Sequence, residues 1–346
     1  MSLHAGFWRG RRVLVTGHSG FKGSWLALWL QSLGAEVHGL SVGAPSAPSL
    51  YELAQIGAHA VEHEADIRDA AAVRAAVGRA RPQIVFHLAA QPLVRRSFQA
   101  PHETFEINVM GTVNLLEAVR AVGDVAATVV VTSDKCYENR DSGRPFVEED
   151  PLGGHDPYST SKGCAELVAA SYRRSFGTRL ATARAGNVIG GGDWAVDRLI
   201  PDMVRAASTG TTVRLRNPDA VRPWQHVLNP LSGYLSLAEA LVASPASAEA
   251  WNFGPDPGDA RPVRWIADAL AARWPGGLRW EPDAAEHPTE AVALTLDSGK
   301  AARRLGWRPR WALEEALRRI VDWHAAHAAG GDMRAVSLSQ IESFSA

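Results

Sequence analysis

The strongest constraint in this chain is a run of glycines placed where a strand ends and a helix begins. The apolar run Arg11-Arg12-Val13-Leu14-Val15-Thr16 leads into Gly17-His18-Ser19-Gly20-Phe21-Lys22-Gly23, and residues 21–33 follow with apolar positions on one helical face, stopped by Gly34. Glycines at such a turn let the backbone approach a pyrophosphate closely, and the free N–H groups at the helix start stabilise its charge. The pattern therefore predicts a dinucleotide site at Gly17, His18, Ser19, Gly20, Phe21, Lys22 and Gly23. Further strands are expected at 36–42, 59–66, 83–90 and 127–133, with helices at 69–80 and 103–122 between them. This alternation predicts an α/β fold with a doubly wound parallel sheet.

From about residue 187 the texture changes to loops rich in Gly, Pro, Trp and Arg, interrupted by helical stretches at 198–209, 229–243 and 262–274. The expected division is a dinucleotide-binding domain over 1–186, joined by about 225–255, then a smaller C-terminal α/β substrate lobe over 187–335, and a tail over 336–346. The 36 basic and 37 acidic residues leave a net charge of -1, which offers no field to hold a nucleic acid. No apolar run reaches the ~20 residues that cross a bilayer, and the N-terminus lacks a secretory pattern, so a cytoplasmic protein is expected. Cys136 and Cys164 are too few for a disulfide framework and read as reduced, buried thiols. The twelve tryptophans are expected to pack cores and the lobe interface. No metal site is expected.

Only four of the basic residues are lysines, Lys22, Lys135, Lys162 and Lys300. Arginine serves as the generic cation here, so a lysine points to chemistry needing a compact ammonium or a removable proton. Tyr158 and Lys162 stand four apart on a predicted helix capped by Asp156 and begun by Pro157, where the ammonium can lower the phenol's pKa. Ser133, Asp134 and Lys135 leave the fifth strand at the carboxyl edge of the sheet, where open α/β sheets bind ligands. Asp134 and Lys135 can line one cleft only if the strand has already broken, because neighbours in a strand face opposite sides. The second strand ends Leu40-Ser41-Val42-Gly43 without the acid that usually holds an adenosine ribose. That leaves NAD and NADP both open, with His18 or Lys22 able to approach a 2′-phosphate. Asp66, with Ile67, suits an adenine contact, and Asp66 serves equally well as an N-cap for the next helix.

The segments TGHSGFKGSWL, HLAAQPLVR, NVMGTVNLLEA, TSDKCYEN, DPYSTSKGCAE, RAGNVIGGGDWAVDRLIPD, RPWQHV and WNFGP together resemble the CDP-glucose 4,6-dehydratases, a family of extended short-chain dehydrogenases/reductases that modify nucleotide sugars. The match runs from about residue 7 to residue 335. It implies a Rossmann fold, NAD as cofactor, and Leu88, Ala89 and Ala90 beside it. It implies that Tyr158 takes the proton of the sugar 4-hydroxyl as hydride leaves carbon 4, that Ser133 orients the substrate, that Lys135 removes the carbon-5 proton, and that Asp134 protonates the departing 6-hydroxyl. Hydride then returns to carbon 6, and CDP-D-glucose becomes CDP-4-dehydro-6-deoxy-D-glucose. Candidates for holding the nucleotide sugar are Gln91, Asn187, Arg198, Leu199, Arg214, Arg216, Arg222, Asn252 and His287, with Arg222 foremost; Arg214 and Arg216 read equally well as a solvated strand edge. The resemblance also implies a homodimer paired through the helices at 103–122 and 158–176. Two departures are the missing acid after the second strand and a short turn at Phe176-Gly177-Thr178. A 4-epimerase would use the same Tyr158 and Lys162 but has no need of Asp134-Lys135, another NDP-hexose would fit the same dehydratase chemistry, and a silent dinucleotide sensor would not need Ser133, Tyr158 and Lys162 together.

Overall fold

A computed structural model describes residues 5–140, 143–285 and 294–346. Its centre is a seven-stranded sheet made of β1 (Arg12–Thr16), β2 (Glu36–Ser41), β3 (Val61–Glu64), β4 (Ile84–His87), β5 (Ala127–Val131), β6 (Leu180–Arg184) and β7 (Ala250–Asn252). The order is β7-β6-β5-β4-β1-β2-β3 and every pairing is parallel. Strands β4, β5 and β6 are buried along their whole length, as sheets covered on both faces require. The order reverses between β1 and β4, so a crevice opens at the carboxyl ends of these two strands, beside the glycine turn.

One face carries α1 (Phe21–Ser32), and the other carries α2 (Ala70–Ala80), α3 (Gly111–Val122) and α4 (Pro157–Phe176). The smaller lobe is built around α5 (Leu199–Thr209), α7 (Val263–Arg273) and α8 (Leu313–Ala328), whose apolar residues share a separate core with Trp224. Between α5 and α7 in sequence, α6 (Leu228–Ala243) packs with β5, β6 and α1, and β7 extends the main sheet.

Helix α1 departs from its expected amphipathic character, since Gly23 through Leu30 are all buried. The reason lies at the far end of the chain. The segment expected to trail off over 336–346 is instead the body of α9 (Met333–Ser345), and Ile341 and Phe344 enter the main core. Phe344 meets Trp29 edge-on at 5.6 Å and Trp311 at 5.1 Å. A helix apolar all round needs cover on all sides, and α9 supplies the outer one. Trp8, Trp25, Trp29, Trp251 and Trp323 are all fully buried. Among the described residues no helix is long and apolar enough to cross a membrane.

Two outcomes follow for stability. Phe344→Ala should cost about 3–5 kcal/mol in urea unfolding, the usual range for truncating a buried aromatic. His87, His226 and His324 are buried, and burial pushes each imidazole down to about 3. Unfolding raises each to ~6.5, so between these values the unfolded chain binds more protons and stability falls as pH falls from about 6.5. His226→Phe should flatten the fall of Tm across that interval, read by thermal melts at successive pH values.

Candidate active site

At the nucleotide end, Gly17 follows β1 with φ +70, and a Cβ there would stand 2.8 Å from the Cα of Ala89. Only glycine lets the turn lie against the segment Leu88-Ala89-Ala90 that leaves β4. Gly20 caps α1 without any side-chain bond, so the first N–H groups of α1 remain for an anion. Ser19 Oγ donates to the Gly43 carbonyl at 2.6 Å and ties this turn to the end of β2. The cradle fits the pyrophosphate of a dinucleotide.

Two expectations at this end are corrected. His18 does not reach outward toward a 2′-phosphate: it is fully buried beneath Gly39 and its Nε2 lies 2.7 Å from the Glu62 carboxylate on β3. Lys22 likewise turns inward to the catalytic residues. Burial, then the neighbouring charges of Lys162 and Arg198, push its amine down to about 7, and its Nζ stands 6.0 Å from the ring centroid of Tyr234. Asp66 does not cap the helix after β3; Asp69 does, accepting from Ala71 and Ala72 N–H. Asp66 pairs with Arg68 at 2.6 Å, and buried Ile67 packs on Gly111.

At the catalytic end, β5 stops at Val131 and Ser133 caps a single 3₁₀ turn, Asp134–Cys136. That break is what allows Asp134 and Lys135 to leave one edge of the sheet together. Ser133 Oγ donates to Asp134 Oδ1 at 3.0 Å and accepts from the Lys135 N–H at 3.2 Å. Asp134 is buried against Gly186, where a Cβ would fall 1.7 Å from its Oδ2, so Gly186 makes the space this carboxylate occupies. Lys135 is partly exposed.

Helix α4 is capped by Asp156, which accepts from the Ser159 N–H, with Pro157 as its first residue. Tyr158 and Lys162 face inward from its first turns and both are buried. Burial raises the Tyr158 phenol to about 12, against a lowering hydrogen bond with Ser133. The expected lowering by Lys162 does not set this balance, because desolvating a phenolate costs more than the neighbouring groups return. The Lys162 ammonium itself donates to the Val131 carbonyl at 3.4 Å, and burial lowers it to about 8. Cys136 is fully buried and burial raises its thiol, whereas Cys164 is only partly buried.

Helix α4 is fixed to the sheet by Glu166. Its carboxylate accepts from Arg184 Nε at 2.9 Å and Nη2 at 2.8 Å, from Thr132 at 2.5 Å and from Thr182 at 2.8 Å. Burial pushes this carboxyl up, and Arg184 with these hydrogen bonds brings it below the usual range.

In the smaller lobe, Arg198 pairs with Asp193 at 3.0 Å and acts electrostatically on Lys22 and Tyr158, which places it on the catalytic side. Leu199 packs into the second core. Asn187 adopts φ +37 and its carbonyl accepts from Gln225. Arg222 is buried on the strand Val221–Pro223. Arg216 bonds Asp197 at 3.3 Å, while Arg214 lies on an exposed strand face with Glu281. Two candidates serve the scaffold instead. Asn252 is fully buried, accepting from Tyr137 Oη at 2.7 Å and donating to the Phe146 and Asp297 carbonyls. Gln91 is buried, with its side chain bonded to Leu93 and Thr104. His287 lies outside the described residues.

Three further residues were not singled out from sequence. Asn108 sits in a π-helical turn, Glu106–Met110, a form of helix that recurs at functional sites. Its amide holds both backbone groups of Gln91 and the Ser161 hydroxyl at 2.9 Å, so it joins the loop after β4 to α4. An Asn among the apolar residues of a helical run was the available signal. Gly186 and Tyr234 carried none that could be read locally. Tyr234 is fully buried, and its hydroxyl has no hydrogen-bond partner.

A parallel sheet with this glycine turn at its switch point, and a Ser, Tyr and Lys gathered at the ends of β5 and α4, defines an extended short-chain dehydrogenase/reductase. The profile of the family described as GDP-mannose 4,6 dehydratase matches residues 14–242. The chain is 51% identical to the CDP-glucose 4,6-dehydratase of Salmonella typhimurium, over 98% of this chain and 97% of that one. It is 26% identical to the dTDP-glucose 4,6-dehydratase of the same organism, over 91% and 93%. Among solved structures, the dTDP-glucose 4,6-dehydratase of Streptomyces venezuelae with NAD and TYD bound is 28% identical with a TM-score of 0.77, covering 93% of this chain and 99% of that one. The UDP-glucose 4-epimerase of Thermus thermophilus in complex with NAD is 28% identical with a TM-score of 0.79, covering 91% and 99%. The chain belongs to the nucleotide-sugar 4,6-dehydratase family of extended short-chain dehydrogenases/reductases.

Glu166→Gln should destabilise the protein by about 3–5 kcal/mol in urea unfolding, because Arg184 is left buried without its counter-charge. Combining it with Arg184→Met should recover part of that loss.

Proposed function

We propose that the chain converts CDP-D-glucose to CDP-4-dehydro-6-deoxy-D-glucose, and that it uses NAD. The observation that carries this reading is the buried carboxylate of Asp134, bonded to Ser133 and seated against Gly186, one residue from Lys135 and next to Tyr158. Oxidation of a sugar hydroxyl by a nicotinamide needs only Ser133, Tyr158 and Lys162 from the chain. An acid and a base beside them serve the loss of water. The glycine turn at residues 17–23 would hold NAD, which would supply the site with a hydride acceptor that is regenerated within each turnover.

The chain's own groups do the proton work. Tyr158 accepts the proton of the 4-hydroxyl, with the Ser133 hydrogen bond and the Arg198 charge favouring its phenolate against the burial that raises the phenol. Ser133 fixes the phenol and the Asp134 carboxyl relative to each other. Lys135 takes the carbon-5 proton, acidified by the new ketone, and gives it back to carbon 5 as hydride reaches carbon 6, while Asp134, entering this step protonated, delivers its proton to the leaving 6-hydroxyl and regains one from Tyr158. Arg198 and Arg222 hold the diphosphate, for which a guanidinium fork is suited. The preference for the cytosine base rests on likeness to the Salmonella relative.

We further infer that the chain pairs as a homodimer. Met110, Leu167 and Phe176 are exposed large apolar groups along the helices at 101–122 and 157–176. Two unpaired thiols agree with a reducing cytoplasm.

The test separates the half-reactions. General acid–base groups contribute ~10²–10⁴-fold. Tyr158→Phe should therefore form neither product nor any oxidised sugar. Asp134→Asn should accumulate the 4-keto sugar that still carries its 6-hydroxyl, read by mass spectrometry of quenched single turnovers, and should exchange the carbon-5 hydrogen in D₂O. Lys135→Met should accumulate the same sugar without that exchange. Full turnover by Asp134→Asn would overturn the reading. Retained exchange by Lys135→Met would transfer the base to Lys22, the half-buried lysine whose amine is pushed down to about 7.

A further inference from the structure

We propose that Tyr234 serves the elimination step, its hydroxyl donating a hydrogen bond to the Asp134 carboxylate that forms when this acid gives up its proton. Tyr234 acts through Asp134 and is a positioning residue; the inference rests on Asp134 as the acid of the reaction proposed above. Tyr234 lies in the second turn of α6, which packs against β5, β6 and α1, the three elements that lead to Asp134, to Gly186 and to Lys22. Its side chain is fully buried, yet the hydroxyl has no hydrogen-bond partner among the described residues. A buried tyrosine usually finds one, and leaving the group unpaired costs free energy. The packing of the ring does not call for the hydroxyl. Phe253 meets the ring edge-on at 5.7 Å and Lys22 Nζ stands 6.0 Å from its centroid, contacts that a phenylalanine would keep.

The same packing ties the ring to the seat of Asp134. Gln225 Nε2 donates to the Phe253 carbonyl at 2.7 Å and to the Gly186 carbonyl at 3.4 Å, so the residue that backs Tyr234 and the residue that makes room for Asp134 share one amide. Burial raises the Tyr234 phenol far above its ordinary range, and the nearby charges of Asp134 and Tyr158 raise it further. The hydroxyl therefore keeps its proton and serves as a donor rather than a base.

A donor at this place favours the later state of the step. Asp134 enters elimination as a neutral acid and leaves it as a buried carboxylate. A hydrogen bond to a charged acceptor is roughly twice as strong as one between neutral groups, so Tyr234 stabilises the carboxylate more than the acid and lowers the barrier to proton delivery. A donor fixed in a dry site before the charge appears does this without reorganisation. The bond is open in the free protein and closes on the new carboxylate, directly or across one water. No proton leaves Tyr234.

Tyr234→Phe tests the proposal against wild type, in single turnovers of CDP-glucose on the NAD-loaded enzyme, quenched and read by mass spectrometry. Loss of one hydrogen bond to a charged group should slow elimination about 10–100-fold relative to oxidation, so that the 4-keto sugar still carrying its 6-hydroxyl accumulates. CDP-6-deoxy-6-fluoroglucose offers a leaving group, fluoride, that departs without a proton from Asp134, and with it the deficit of the variant should vanish. Thermal melts should place the variant at or above the wild-type Tm, because the deleted hydroxyl has no partner to lose. Unslowed elimination from CDP-glucose, or an equal loss on both substrates, would overturn the role of Tyr234, and so would a Tm below that of wild type. Each of these outcomes leaves Asp134 as the acid, a role that fails only if Asp134→Asn turns over fully.

Discussion

The buried contact between Glu166 and Arg184 is the joint on which the active site depends. Tyr158 and Lys162 ride on α4, whereas Ser133 and Asp134 hang from the end of β5, and nothing in local structure sets the distance between a helix and a strand tip. Glu166 sets it. Its two oxygens take hydrogen bonds from Thr132 on the strand side, from Thr182 on β6 and from two nitrogens of Arg184. Arg184 then reaches Tyr137 Oη at 2.7 Å, and Tyr137 reaches Asn252 on β7. A buried ion pair contributes little net stability beyond its own desolvation, yet every group in this one has a partner, and fully paired polar networks hold one geometry. Registering α4 against three strands is the use to which that geometry is put.

Electrostatics in the cleft follow from the same burial. Lys22, Lys162 and Arg198 crowd one desolvated region with the Asp134 carboxylate, and both lysine amines are pushed down while the Tyr158 phenol is pushed up. Each shift favours the neutral form, as expected where water has been removed. Such an environment suits a reaction in which protons leave one hydroxyl and arrive at another a few bonds away.

The smaller lobe divides its arginines by environment. Arg198, which acts on Lys22 and Tyr158, is partly withdrawn from water and Arg222 is buried, whereas Arg214 sits on the open face of an exposed strand. Type alone made these residues equal candidates, and burial separates them. The same principle removed Asn252 and Gln91 from the substrate contacts, since a buried amide already bonded has nothing left to offer a ligand.

The sequence by itself determined what short-range physics decides. The glycine turn, the alternation of strands and helices, the Asp156-Pro157 start of α4 and the four-residue spacing of Tyr158 and Lys162 depend on near neighbours and period, and each was legible. Only the tertiary structure decided where long side chains point and what covers an apolar surface. His18 met Glu62 on a strand 44 residues away, Lys22 turned toward Lys162, and Asp134 found its space at Gly186. Residues 336–346 became a helix because α1 needed an outer cover, and no window of sequence around either segment contains the other. Contacts of that kind are chosen by the free energy of burial summed over the whole fold, which local patterns do not carry.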